Sequence, residues 1–285
     1  MIKRLYYYSI AVFFIFVDMN KTLKFLLITF LWSWIFFALA INSVSIILDQ
    51  NSFQSFLKYF FVGIYGPTIG AMIVSIMDSK SAFLKLLLKF LNFKIPIKTL
   101  LLTFFLPILF VASGITVFAV IGGEVGPFDI KGIYSIPTIL LAGIYAGPLG
   151  EELGWRGFLL PELQKTFSPT KSALIIGVIW FFWHLPLFWA PVGTLVSGNL
   201  SFTSIITYFM IINCLSIIIT WLYNQSSYNL WTAILFHLFI NAGIALTVFP
   251  QLIPLTNNIH LYSISGMLMF TSYLLFSKKV IHKKI

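Results

Sequence analysis

Charged side chains are scarce in this chain, making up 9% of its 285 residues. A soluble domain carries about 25%, so there is too little polar surface here to cover a globule in water. Cysteine is scarcer still. The single Cys214 lies in an apolar run, where it can form no internal disulfide and reads as a small packed residue. Nothing near it would lower a thiol pKa, which sets cysteine catalysis aside. Fixed-period repeats and low-complexity segments are also missing. What the chain does have is apolar length: hydrophobic residues reach 59%, and mean hydropathy is +0.98. Apolar segments of about 18 residues or more recur throughout, as expected of helices crossing a bilayer. The expected fold is all-α and polytopic, with the lipid bilayer as its principal partner. The net charge of +10 does not point to nucleic acid, because its Lys and Arg residues sit in short loops between apolar runs. There they carry topology information and attract anionic lipid.

Eight spans are expected, at about 22–48, 56–77, 99–121, 134–160, 172–190, 203–223, 229–249 and 259–277. The loops support this count. Lys80, Lys85, Lys89, Lys94 and Lys98 follow the second span, Lys165 and Lys171 follow the fourth, and Lys278, Lys279, Lys283 and Lys284 close the chain. The intervening loops hold almost no positive charge, so both termini are expected on the cytoplasmic side. Lys58 is close enough to a span end to snorkel outward. Leu5 to Val17 is apolar but too short to span and lacks a small-residue cleavage site. Residues 1–21 therefore read as an interfacial segment or as an extension upstream of a start at Met19. Residues 22–285 read as one helical transmembrane domain, with the chemistry-bearing core at 130–250. Residues 81–93 suit a short helix lying on the cytoplasmic face.

Inside this apolar frame lie a few ionisable groups. Glu151, Glu152 and Arg156 occur in Gly147-Pro-Leu-Gly-Glu-Glu-Leu-Gly-Trp-Arg156, directly after the apolar stretch Ile136 to Tyr145. A charge at bilayer depth costs roughly 2.5–3.5 kcal/mol on insertion scales, so these groups need partners, water or a chemical role. On a helix, Glu152 and Arg156 are four apart and share a face. Glu151 is rotated about 100° away and is free to serve as a general base toward a cavity. His184 ends the run Trp180-Phe-Phe-Trp-His184, and His237 with Asn241 again share one helical face. Glu162 reads as interfacial. Each of these signals has a plain structural reading. A membrane His or Asn commonly bonds a neighbouring helix, the Glu152–Arg156 pair would serve as a staple, and the aromatic run 180–189 reads as packing and interfacial anchoring. Their conjunction on three helices supplies a base, an imidazole partner and an oxyanion donor pair. That inventory suits hydrolysis of an acyl bond by an activated water.

At these residues the chain resembles the CAAX-processing and bacteriocin-immunity family of intramembrane proteases, also called CPBP or Abi. That family is marked by EExxxR, then FxxxH, then HxxxN or HxxxD. Here the motifs are Glu151-Glu152 with Arg156, Trp180 with His184, and His237 with Asn241, in the same order. Gly66-Pro67-Thr68 also looks like an earlier helix of the family. Trp180 stands where the family usually has Phe, a departure that bears on wall packing. The resemblance implies a glutamate-dependent endopeptidase, often labelled a metalloprotease, that works inside the membrane. Glu151 with His184 would orient and deprotonate a water, and His237 and Asn241 would stabilise the oxyanion. Glu152 and Arg156 would hold the helix in place.

No metal is assigned: HExxH is missing, and a zinc ion would have to draw its ligands from Glu151, His184 and His237, with Glu152 as a further donor. The expected substrate is a hydrophobic peptide or membrane protein. The expected location is a cell membrane, multi-pass and of bacterial plasma-membrane type. Two other readings remain open. One is a non-catalytic immunity or scaffold protein that uses the polar cluster as glue. The other is a proton-coupled transporter, against which the spans show no pairing of broken segments in two halves.

Overall fold

The computed structural model describes residues 20–44, 50–125, 134–190, 201–248 and 259–276, which form helices with no strand among them. The chain is a polytopic all-α membrane protein. Numbered among the described residues, the helices begin with α1 (Lys21–Asn42), α2 (Gln50–Ile64), α3 (Gly66–Asp78), α4 (Lys80–Leu88) and α5 (Ile97–Val120). Next come α6 (Ile136–Tyr145), α7 (Pro148–Glu152), α8 (Leu160–Gln164), α9 (Pro169–His184), α10 (Phe202–Gln225), α11 (Leu230–Val248) and α12 (Ile259–Phe276). Among the described residues, five stretches are long and apolar enough to cross a bilayer: α1, α2 with α3, α5, α9 with the 3-10 turn Leu185–Trp189, and α10. Shorter apolar helices in α11 and α12 accompany them. The expected surface helix at 81–93 is α4 with a 3-10 turn at Lys89–Leu91. The segment Leu5–Val17, the loop residues 191–200 and 250–258, and the lysine-bearing tail lie outside the described residues.

The stretch expected as a fourth span, 134–160, is divided. Helix α6 stops before Gly147-Pro148, because a proline has no N–H to continue the ladder and takes the first position of a new helix instead. After the short α7 the backbone widens into a π-helical turn, Leu153–Leu159, before α8. Such turns are uncommon and concentrate at functional sites. The second expected span is divided too, at Tyr65 between α2 and α3.

Each proline deprives a carbonyl four residues earlier of its donor, and in lipid that carbonyl has to be satisfied from within the protein. Pro67 frees the Gly63 carbonyl, and Ser33 Oγ of α1 donates to it at 2.7 Å. Pro161 has no N–H for the Gly157 carbonyl, to which Lys89 Nζ donates at 2.6 Å. Burial holds the Lys89 ammonium below the usual lysine range, with the Glu162 carboxylate opposing that shift. The surface helix is thereby bonded to the π turn.

The two divided stretches pack against each other through glycine. A Cβ on Gly150 would stand 3.0 Å from the Ile64 carbonyl oxygen, and one on Gly154 would stand 2.5 Å from the Pro67 carbonyl carbon. Thr68 Oγ1 donates across the same seam to the Leu149 carbonyl at 3.2 Å. At one end of the bundle, Lys21 pairs with Asp78 at 2.7 Å, and Gln164 donates to Asn224 at 3.4 Å. Asn229 Nδ2 donates there to the carbonyls of Asn92 and Lys94. The lysine-bearing stretches that follow the second and fourth expected spans, around 78–98 and 160–171, thus lie with residues 224–229 at the same end.

Gly154→Val is expected to destabilise the fold by about 1–3 kcal/mol through overpacking against backbone. Gly143→Ala, whose methyl would meet only the flexible Leu238 side chain at 3.2 Å, should change stability little. Thermal unfolding in detergent compares them, and equal effects would contradict the tight seam.

Candidate active site

Glu151 and Glu152 end α7, at the mouth of the π turn, and both are buried. Successive helical residues point about 100° apart, and the two carboxylates meet different surroundings. Glu152 Oε1 accepts from Arg156 Nη1 at 3.0 Å, the pairing expected from the spacing, with both side chains wholly inaccessible. The same oxygen faces His237 Nδ1 of α11 at 2.8 Å. Glu152 therefore joins two elements rather than only its own helix. Arg156 Nε and Nη2 make no hydrogen bond among the described residues. Instead, the guanidinium carbon lies 4.8 Å from the Trp180 ring centre, a cation–π arrangement.

Glu151 points the other way, into a cavity of about 470 Å³ lined also by Trp180, His184, His237 and Asn241. Trp180 Nε1 donates to Glu151 Oε2 at 2.6 Å. The other oxygen, Oε1, lies 3.2 Å from the position a Cβ on Gly147 would take, and Asn241 Nδ2 and His237 Nε2 lie each 3.7 Å from that same point. A carboxylate, an amide and an imidazole thus converge on one small space, kept open because residue 147 has no side chain.

The ring protons follow from the partners. His184 Nδ1 lies 2.8 Å from the Trp180 carbonyl, which can only accept, so Nδ1 carries hydrogen. His237 Nδ1 faces the Glu152 carboxylate, so there too Nδ1 carries hydrogen. In a neutral ring, both Nε2 atoms are then acceptors. The remaining wall is apolar and aromatic, including Phe60, Ile64, Leu187, Ile211, Leu215 and Ile244. Tyr208 of α10 completes it, with its ring 5.5 Å from that of His184.

Of the residues given a site role from the sequence, Glu151, His184, His237 and Asn241 line this cavity, and Glu152 and Arg156 lie directly behind it. Glu162, expected at the interface, pairs with the exposed Lys165 at 2.7 Å away from the site. Cys214 is buried, with no tie to the polar cluster. Three site residues did not emerge as such from the sequence. Trp180 read as wall packing, although its indole N–H marks it as a buried donor that must find an acceptor. Gly147 and Tyr208 carried no local signal at all.

Zinc was the metal to test. Among the described residues no group of three or more His, Cys, Asp or Glu side chains could hold a metal ion together. Glu152 Oε1, Glu151 Oε2 and both Nδ1 atoms are already engaged within the protein. The donor set does not form a metal cradle in this arrangement, and no step is routed through one.

A multi-span helical bundle with a buried acid–imidazole site at a helix break defines the class as a polytopic membrane protein with enzyme-like polar chemistry. Residues 133–243 match the family described as type II CAAX prenyl endopeptidase Rce1-like. The chain is also 28% identical over 236 residues to "CAAX prenyl protease 2" of Methanococcus maripaludis, covering 78% of this chain and 83% of that protein. Both likenesses fall in with the resemblance carried by the ordered motifs: over these residues the chain is similar to CAAX prenyl endopeptidases.

Arg156→Met would leave a buried carboxylate without its guanidinium and is expected to cost about 3–5 kcal/mol of stability. Glu162→Gln, which breaks the exposed pair with Lys165, should cost no more than about 1 kcal/mol. Denaturant unfolding in detergent should rank them in that order, and a reversed order would show that the buried pair is not a structural tie.

Proposed function

We propose that the chain is an endopeptidase that cleaves a hydrophobic or membrane-associated peptide with a water activated by Glu151 and His184. The single observation that carries this reading is convergence: Glu151, His184, His237 and Asn241, from three separate helices, line one cavity with apolar walls. Glu151 Oε1 is the free carboxylate oxygen and takes the water proton. His184 Nε2, an acceptor because Nδ1 is committed to the Trp180 carbonyl, holds the second water hydrogen. The hydroxide equivalent attacks the carbonyl carbon, and the carbonyl electron pair moves onto oxygen. Asn241 Nδ2 donates to that oxyanion. His237 donates as well when its ring is doubly protonated, with Glu152 as counter-charge behind Nδ1. The proton held by Glu151 then passes to the leaving amine as the carbon–nitrogen bond breaks.

The apolar wall suits a substrate with apolar side chains on either side of the cut. The name of the Methanococcus relative, a CAAX prenyl protease, makes a prenylated peptide the first substrate to try, beside an unprenylated hydrophobic one. The lysine-rich end of the bundle is proposed to face the cytoplasm in a bacterial plasma membrane, in keeping with the positive-inside tendency.

In liposomes, Glu151→Gln and His184→Ala are expected to abolish cleavage of such peptides while unfolding stays cooperative. Asn241→Ala should lower kcat by about 10²- to 10³-fold, the usual effect of losing an oxyanion donor. Wild-type rates from the two Glu151 and His184 variants would overturn the peptidase reading and favour a non-catalytic immunity or scaffold role. Dialysis against a strong chelator should leave the rate within about twofold. Complete loss with rescue by zinc would require a metal-based step instead.

A further inference from the structure

Trp180 touches four of the five charged or imidazole groups around the site, Glu152 being the exception. Its Nε1–H donates to Glu151 Oε2 at 2.6 Å, and its carbonyl accepts from His184 Nδ1 at 2.8 Å. Its ring lies 4.8 Å from the Arg156 guanidinium carbon and meets the His237 ring edge-on at 5.3 Å. The side chain is only 1% exposed. The terminal torsion of a glutamate is broad and roughly two-fold, so a carboxylate facing a cavity exchanges its two oxygens unless one is held. The indole holds one. Oε2 is bound to Trp180, and Oε1 is left at the opening beside Gly147, facing His237 and Asn241. A neutral donor does this without cancelling the charge, unlike the Arg156 and His237 that surround Glu152.

We propose that Trp180 is a positioning residue whose indole N–H fixes the Glu151 carboxylate with one oxygen committed and the other directed at the reacting water. Its effect on rate rests on the peptidase reading above, whereas the indole–carboxylate bond itself does not.

Trp180→Phe keeps an aromatic ring in the wall and under Arg156 but removes the donor. On a cleaved peptide in liposomes, kcat should fall about 10- to 100-fold, the usual range for losing a hydrogen bond to a charged group, with KM within twofold. In isotope-labelled wild-type protein in detergent, the Trp180 indole N–H resonance is assigned by its loss in Trp180→Phe, and it should move upfield in Glu151→Gln.

A kcat within twofold of wild type, or a change confined to KM, would overturn the proposal. So would an indole resonance indifferent to Glu151→Gln, a measurement that needs no folded Trp180 variant beyond the assignment. If the wild-type protein cleaves nothing, the peptidase reading fails by itself. The resonance then decides whether Trp180 holds Glu151.

Discussion

Glu152 has no exposed surface, and a single oxygen of its carboxylate meets both Arg156 and His237. An unpaired charge at that depth would be strongly destabilising, because neither lipid nor apolar side chains can replace its hydration. The π turn and α11 consequently cannot settle independently, since the carboxylate is compensated only when both approach it. The rest of the site takes its geometry from this node. Glu151, one residue earlier, is turned toward the cavity. The Arg156 guanidinium lies against Trp180. His237, held at Nδ1, presents Nε2 to the space beside Gly147.

The cavity itself exists because helices are broken there. Ile64, at the end of α2, and Ala146, after α6, both line it. Non-helical backbone at membrane depth is tolerated where it borders a cavity or is buried in protein, and here the two breaks face each other. The cost of the first is offset locally by Ser33 on the Gly63 carbonyl, while Lys89 satisfies the Gly157 carbonyl in the π turn that follows the second. The same prolines that shorten the helices give polar side chains a reason to point inward. The glycines at 150 and 154 let the broken stretches approach to backbone contact, which no larger residue would permit. Fold and site thus meet at one place: residues at both breaks border the hollow that Glu151, His184, His237 and Asn241 line.

What could be read from the sequence was whatever depends on periodicity and composition. Apolar length located the helices, and four-residue spacing paired Glu152 with Arg156 and placed His237 and Asn241 on one face. The ordered motifs carried the family resemblance. What could not be read depends on distances between elements. The stretch 134–160 looked continuous because its hydropathy is continuous, and a π turn leaves no mark in composition. Gly147-Pro148 was the one local hint of the division, and it was outweighed by apolar length. That Glu152 reaches His237, 85 positions away, is a tertiary fact with no helical period behind it. Trp180 was placed in the correct wall but read only for its ring. Its N–H was the neglected signal, because a buried indole donor in an apolar helix has few acceptors within reach, and a carboxylate is the strongest of them.

Two adjacent glutamates with the same chemistry end in opposite situations. Glu152 is surrounded by positive or proton-donating groups on one oxygen and has no access to the cavity. Glu151 accepts from the neutral Trp180 indole, with the Trp155 indole also beside it, and borders the hollow. A carboxylate neutralised by a guanidinium is a poor proton acceptor, since taking a proton would leave the arginine uncompensated. One tethered by a neutral N–H can accept a proton and return it while its surroundings stay intact. On the proposed reading the division of labour is therefore electrostatic and was decided by the rotation of one residue along a helix. Exchanging the surroundings of the two carboxylates, rather than their identities, would exchange what each is able to do.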